Sequence, residues 1–158
     1  MAESPNLPHP PHRVKLPDER TGGTHAFTVG DREGYLIYSV YPGTNQLGEI
    51  FVVIDKEGSE LSGAYDSWAR MVSVALQYGI PFKDIARKFL FSRFEPQGMT
   101  RNPAIPIASS IVDYIMRYLG EKFLSDEERE SINWPPPAVI AEQQRLMENG
   151  GDENKEKD

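Results

Sequence analysis

The sequence predicts an α+β fold: an antiparallel three-stranded β-meander packed against two long helices and one short helix, with disordered termini. Three observations lead there. From Thr24 the chain alternates in segments rich in aromatic and β-branched residues, THAFTV, GYLIYSVY and GEIFVVID, the period-2 signature of half-buried strands. After Ile54 the apolar period changes to that of a helix. Across 158 residues, a composition 39% hydrophobic and 10% aromatic fills one core and not two.

The elements follow in order. Residues 1–15 are Pro-rich and read as an extended, mobile leader, because proline fixes the backbone without supplying a ladder donor. The two links between the strands, GDREG and PGTNQLG, have turn chemistry and are short enough to make the strands antiparallel neighbours. Leu61, Tyr65, Trp68, Val72 and Leu76 then form one stripe of a helix of about five turns, stopped by Gly79 and Pro81. A second, short helix is expected from Asp84 to about Ser92. Residues 93–106 hold three prolines and a glycine and read as a long irregular loop, of the kind that is functional or packed by its own side chains. A third helix is expected over Ile107 to Leu124, where Ile107, Ile111, Ile115, Leu119 and Phe123 repeat at helical spacing. The domain thus covers 16–124. Residues 125–158 read as an acidic tail with a peripheral helix near Val139 to Met147.

Composition excludes several chemistries. The chain holds no cysteine, hence no disulfide, thiolate metal site, thiol nucleophile or thiyl radical. Of its three histidines, His9 and His12 lie in the leader and only His25 lies in a strand. The net charge of −7 is uneven: residues 1–124 hold 13 Lys/Arg against 14 Asp/Glu, and residues 125–158 hold 4 against 10. A near-neutral body lacks the cationic excess that dominates nucleic-acid affinity, so no nucleic-acid partner is expected. No apolar run reaches membrane-spanning length, and the N-terminus lacks a signal-peptide h-region, which makes the cytoplasm the expected location.

Two stretches stand out as candidate sites. DKEGSEL, Asp55 to Leu61, joins the third strand to the first helix. With a single glycine, and its lysine ahead of it, the stretch departs from a phosphate-binding loop. It reads chiefly as a tight turn at Gly58 with Ser59 as N-cap and Glu60 facing the helix dipole. Lys56, Glu57 and Ser59 remain candidates for a ligand or partner contact. In the loop RFEPQGMTRNP, the residues Arg93, Glu95, Thr100, Arg101 and Asn102 form a dense polar group in an irregular segment, where contacts to partners concentrate. The tyrosines and Trp68 fall mainly on predicted core faces. Neither the scattered carboxylates nor Ser109 and Ser110 form a legible catalytic set, and no metal site is expected.

Read together, LPDER, THAFTVG, EGYLIYSVY, GEIFVVIDKEGSEL, ALQYGIP, FEPQGMTRNP and IASSIVDYIMRYLG resemble the C-terminal accessory domain of class II, cobalamin-dependent ribonucleotide reductases, known as the TSCPD domain. The resemblance runs from about Arg13 to Leu124. It implies a part in deoxyribonucleotide synthesis for DNA biosynthesis, in a parent enzyme whose separate barrel binds nucleotide and adenosylcobalamin and carries a radical cysteine. No catalytic residue carries over to this cysteine-free chain, and the Thr-Ser-Cys-Pro-Asp string behind the name is absent. What carries over is the module, with the Lys56 to Ser59 turn and the Phe94 to Pro103 loop as contact surfaces. The expectation is a non-catalytic accessory domain that binds no cofactor itself and acts on a reductase catalytic chain or by self-association. The alternative is a nucleotide- or small-ligand-sensing module built on Lys56, Ser59, Arg93 and Arg101.

Overall fold

Alternation in the first third of the chain becomes a sheet: β1 (Thr21–Val29), β2 (Arg32–Val40) and β3 (Leu47–Ile54), antiparallel and in the order β1-β2-β3. The structure is a computed structural model that describes residues 12–55, 58–134, 140–142 and 145–146. Lys56, Glu57, most of the leader and most of the tail, including its acidic end, lie outside the described residues.

The two-residue turn Gly30-Asp31 sets the register, with Val29 opposite Arg32 and Gly30 at φ +59°, a conformation glycine adopts without steric cost. In such a hairpin the flanking pair exchanges hydrogen bonds and every second pair thereafter does so. Gly23, His25 and Phe27 therefore turn their amides toward β2, whereas Gly22, Thr24, Ala26 and Thr28 turn theirs away. The adjoining Gly30, of the same parity, confirms the phase: its N–H donates outward to Met99 O at 2.9 Å.

After the sheet come α1 (Ser59–Gln77), α2 (Phe82–Phe89), a two-stranded ribbon of β4 (Gly98–Met99) with β5 (Ile107–Ala108), α3 (Ile111–Phe123) and α4 (Asp126–Ser131). The meander, the two long helices and the short one agree with the expectation; β1 opens three residues before the expected Thr24, and four helix boundaries differ. Ser59 is the first residue of α1, and the N-cap position falls on Gly58. α2 begins right behind Pro81, which takes the cap position, and it ends early because Leu90 is extended and Phe91 turns to φ +60°. Ile107 and Ala108 pair with Met99 and Gly98 instead of opening α3, which starts where Ser110 Oγ accepts from Asp113 N–H at 3.0 Å. Apolar spacing across IPIASSI looked helical because a buried two-residue strand supplies the same side chains. α4 was not anticipated, although SDEE is a capping box, with Ser125 and Glu128 bonding each other's amides. In the expected peripheral helix, residues 140–142 and 145–146 are helical.

One face of the sheet is the core face. Phe27, Val29, Leu36, Ile50, Val52 and Ile54 pack with Tyr65, Ala69, Val72 and Leu76 of α1 and with Ile111, Ile115 and Leu119 of α3. The other face leaves Tyr35, Phe51 and Val53 exposed. Beyond residue 124, Ile132 is buried and Trp134 packs against the core over Gly120. At the other end, Val14 N–H donates to Gln77 O at 2.9 Å and Tyr41 OH donates to Val14 O at 2.6 Å, which holds this stretch to the end of α1.

The two sheet edges are finished differently. α1 lies along β3: Ser73 Oγ accepts from Ile50 N–H at 3.0 Å and sits 3.0 Å from Ile50 O and 2.9 Å from Ala69 O, while Gln77 Nε2 donates to Gly48 O at 3.1 Å. Among the described residues, β1 is covered only at its end, where Val29 bridges to Thr100. Gly22 and Gly23 sit tightly against β2. A Cβ on Gly22 would run into the Tyr38 carbonyl oxygen, and one on Gly23 into the Tyr38 hydroxyl.

Candidate functional site

A cleft of about 500 Å³ lies between the β1 edge, the 101–103 turn and α3, with His25, Tyr35, Arg101, Asn102, Tyr114 and Tyr118 among its lining. Each side chain comes from an element whose geometry aims it there. β1 directs His25 to the core face, since odd residues of that strand point inward. Helical spacing puts Tyr114, Tyr118 and Lys122 one turn apart on α3. The turn that carries Arg101 and Asn102 is held by its own bonds: Thr100 N–H donates to Pro106 O at 2.8 Å, Thr100 Oγ1 donates to Ile105 O, and Ala104 N–H donates to Asn102 Oδ1 at 3.0 Å.

His25 and Tyr118 are stacked, ring centroids 3.9 Å apart and planes 10° from parallel, and His25 Nε2 lies 2.7 Å from Tyr114 OH. Asn102 Nδ2 donates to that hydroxyl at 3.2 Å, so the Tyr114 proton is directed to a neutral His25 Nε2. The electrostatics agree: burial, and then the nearby Lys122 ammonium, push the His25 pKa below 6.5. Burial raises Tyr114, against the opposing effects of the Asn102 bond and Arg117. Tyr118 is pushed up to about 12, by burial first and then by the Tyr38 hydroxyl. All three groups are thus uncharged at neutral pH. Arg101 is engaged by Glu33 at 2.9 Å in an exposed pair, and Asp55 adds a further carboxylate to the lining.

The loop expected to be polar and irregular is divided by the fold. Thr100, Arg101 and Asn102 stand at this cleft or in the turn that walls it. Glu95 is exposed, accepts from Gln97 at 2.8 Å and lines a second groove of about 290 Å³ with Leu61, Trp68, Phe89 and Phe94. Arg93 is exposed and lines neither. Of the hinge candidates, Ser59 opens α1, and Asp55 marks where the hinge leaves the cleft.

Beneath the loop lies an ion pair that spacing alone did not announce. Asp113 and Arg117, 0% and 4% exposed, meet at 2.9 Å. Asp113 also accepts from Phe91 N–H at 2.7 Å and Ser109 N–H at 2.9 Å, and Arg117 donates to Ile107 O. One carboxylate therefore ties both ends of the 91–109 loop to α3. That His25 lines the cleft was not legible, because a lone histidine in a strand carries no sequence signal. The one hint for both features was α3 itself, which sets an Asp, an Arg and two tyrosines at helical spacing in an apolar stripe.

Comparison with known proteins places this architecture. A family model described as the TSCPD domain matches residues 9–123. The vitamin B12-dependent ribonucleotide reductase of Rhodopirellula baltica is 47% identical over 115 residues, 73% of this chain and 11% of the relative. Its namesake in Streptomyces avermitilis is 44% identical over 140 residues, 89% of this chain and 14% of that protein. The Streptantibioticus cattleyicolor protein of the same name is 46% identical over 122 residues, 77% of this chain and 20% of the relative. The chain spans a fifth or less of the length of these curated relatives. No solved structure matches it. By these matches the chain belongs to the TSCPD domain family and is related through that domain to the vitamin B12-dependent ribonucleotide reductases.

Proposed function

We propose that this domain is a non-catalytic accessory unit of a B12-dependent ribonucleotide reductase, acting in the cytoplasm by protein–protein contact in the service of deoxyribonucleotide synthesis. The observation that carries the reading is that the region of similarity makes up a fifth or less of each relative, which leaves at least four-fifths of those chains for the reaction their name describes. Chemistry in the cleft supports it. His25 and Asn102 both bond the Tyr114 hydroxyl, and Arg101 is engaged by Glu33.

The cofactor fits the same division of labour. A cleft of about 500 Å³ suits a drug-sized molecule, and adenosylcobalamin is far larger, so its binding falls to the remainder of a reductase. Glu33 and Asp55 beside an already paired Arg101 also weigh against a phosphate-bearing ligand here. The contact surface on this reading is the loop, where Phe94 and Met99 expose apolar side chains (44% and 67%) beside Arg93 and Glu95.

The test is a pull-down of the chain from a lysate of its own cells, alone and with dATP, ATP or adenosylcobalamin. Recovery of a reductase chain is expected, weakened by Arg93→Ala with Arg101→Ala. Absence of a reductase from every eluate would refute the contact role, and stabilisation against heat by a nucleotide would put a ligand-sensing role in its place.

A further inference from the structure

We propose that β1 pairs edge to edge with β1 of a second copy of this chain, antiparallel about a two-fold axis at Thr24, to make one six-stranded sheet. This proposal is independent of the reductase reading.

The first ground is what β1 lacks. Edge strands are ordinarily kept from pairing by charges, prolines, shortness or a covering element. β1 is nine residues long, TGGTHAFTV, with no Lys, Arg, Asp, Glu or Pro, and its single titratable group, His25, is held neutral. The opposite edge shows that this sheet can be closed, because Ser73 and Gln77 bond β3 there.

The second ground is geometry. Residues of even number on β1 aim their N–H and C=O groups away from β2, and from Thr28 onward the Met99–Arg101 segment walls the edge through the Val29–Thr100 bridge. Among the described residues, that leaves a window of about five residues, Gly22 to Ala26. Centred on Thr24, the window is self-complementary. The outward amides of Gly22 meet the outward carbonyls of Ala26 from the other copy and the reverse, while Thr24 exchanges both bonds with its counterpart.

Side chains and charge select a copy of itself as the occupant. Gly22, Thr24 and Ala26 put no bulk beside the wall, and a Thr–Thr pair across the axis is a favourable cross-strand pair. The body of the chain is nearly neutral, 13 cationic against 14 acidic residues over 1–124, so like approaches like without strong repulsion. A two-fold axis perpendicular to the sheet keeps both outer faces on one side, which would bring the two exposed patches of Tyr35, Phe51 and Val53 onto a single surface.

Sedimentation equilibrium of the full chain over a wide concentration range tests the proposal, read with residue-resolved hydrogen exchange. The expected result is a monomer–dimer equilibrium in which the Gly22, Thr24 and Ala26 amides become protected as concentration rises, while Gly23, His25 and Phe27, already bonded to β2, stay as they were. Thr24→Lys places like charges opposite each other and should weaken the dimer about tenfold or more. Thr24→Pro removes only the outward donor, a substitution an edge strand tolerates, and should act in the same direction. Thr24→Cys gives this cysteine-free chain a single thiol, which should cross-link the pair on oxidation. A chain monomeric throughout, or a dimer that survives both Thr24→Lys and Thr24→Pro with its even amides unprotected, would overturn the proposal.

Discussion

β3 and β1 bound the same small sheet, and the chain treats them in opposite ways. Along β3, α1 supplies a hydroxyl and an amide that bond the outward backbone groups of Ile50 and Gly48. Along β1, among the described residues, a single bridge at Val29 stops the edge and the remainder faces solvent or the cleft. The residues whose backbone faces outward are apolar or small on both edges, Gly48, Ile50 and Val52 on β3 and Gly22, Thr24 and Ala26 on β1, so strand composition does not explain the contrast. What differs is the neighbour. A buried backbone group must find a partner and an exposed one need not. Burial has closed one edge, and the other is left available for contact.

Four measurements would break or sharpen this contrast. The largest effect is expected from Asp113→Ala, which strands a buried Arg117 and frees Phe91 and Ser109, the two ends of the loop that walls β1. Denaturant unfolding should show a loss of about 3–5 kcal/mol, and Arg117→Met with Asp113→Leu should restore only the part owed to the stranded charge, since the Phe91 and Ser109 amides stay without their acceptor. Next, Ser73→Ala leaves the Ile50 amide and carbonyl buried without their partner, and the same assay should show a loss of about 1–3 kcal/mol. If Ser73→Ala were silent, the closed edge would owe its closure to shape alone. Third, Thr24→Lys on the open edge should change the stability of the monomer by no more than about 0.5 kcal/mol. A larger loss there would show that β1 takes part in folding contacts along its free side.

The smallest effect concerns protons. His25 has a folded pKa below its ordinary 6.5, because burial and Lys122 disfavour the imidazolium. Unfolding then takes up a proton as the pH falls. The histidine's contribution is complete above about pH 6.5 and is lost as the pH drops toward the folded value. Thermal melts from pH 7.5 to 5 should fall on the acidic side, and His25→Gln should flatten that part of the profile. An unchanged slope would mean that the stacked imidazole is not what the protein loses at low pH.

These expectations draw on features that the sequence shows unevenly. Alternation in GYLIYSVY and GEIFVVID gave the strands, and the stripe from Leu61 to Leu76 gave α1, because each pattern is local and repeats over several turns or pleats. Arg101 and Asn102 stood out as candidates because polar side chains crowd in that irregular loop, and the fold sets both at the cleft. Asp113 and Arg117 were not, because i, i+4 spacing is the same for an exposed pair as for one fully buried. Nor was the role of Ser73, whose hydroxyl acts on a strand 23 positions away in the chain. The placement of Ser59 missed the cap by one residue, a displacement that turn chemistry alone does not detect.

The glycines of β1 restrict how this edge can change by mutation. The simplest way to silence an open strand is to replace one of its residues with lysine or glutamate. At Gly22 any side chain would collide with the Tyr38 carbonyl, which closes that position to this route, and at Gly23 one would have to displace the Tyr38 hydroxyl. Thr24 and Ala26 provide side-chain positions on the outer face where a charge would fit. A lineage that no longer used the edge could readily blunt it at either one. Whether descendants keep small neutral residues there is therefore a direct reading of whether the edge is still in use.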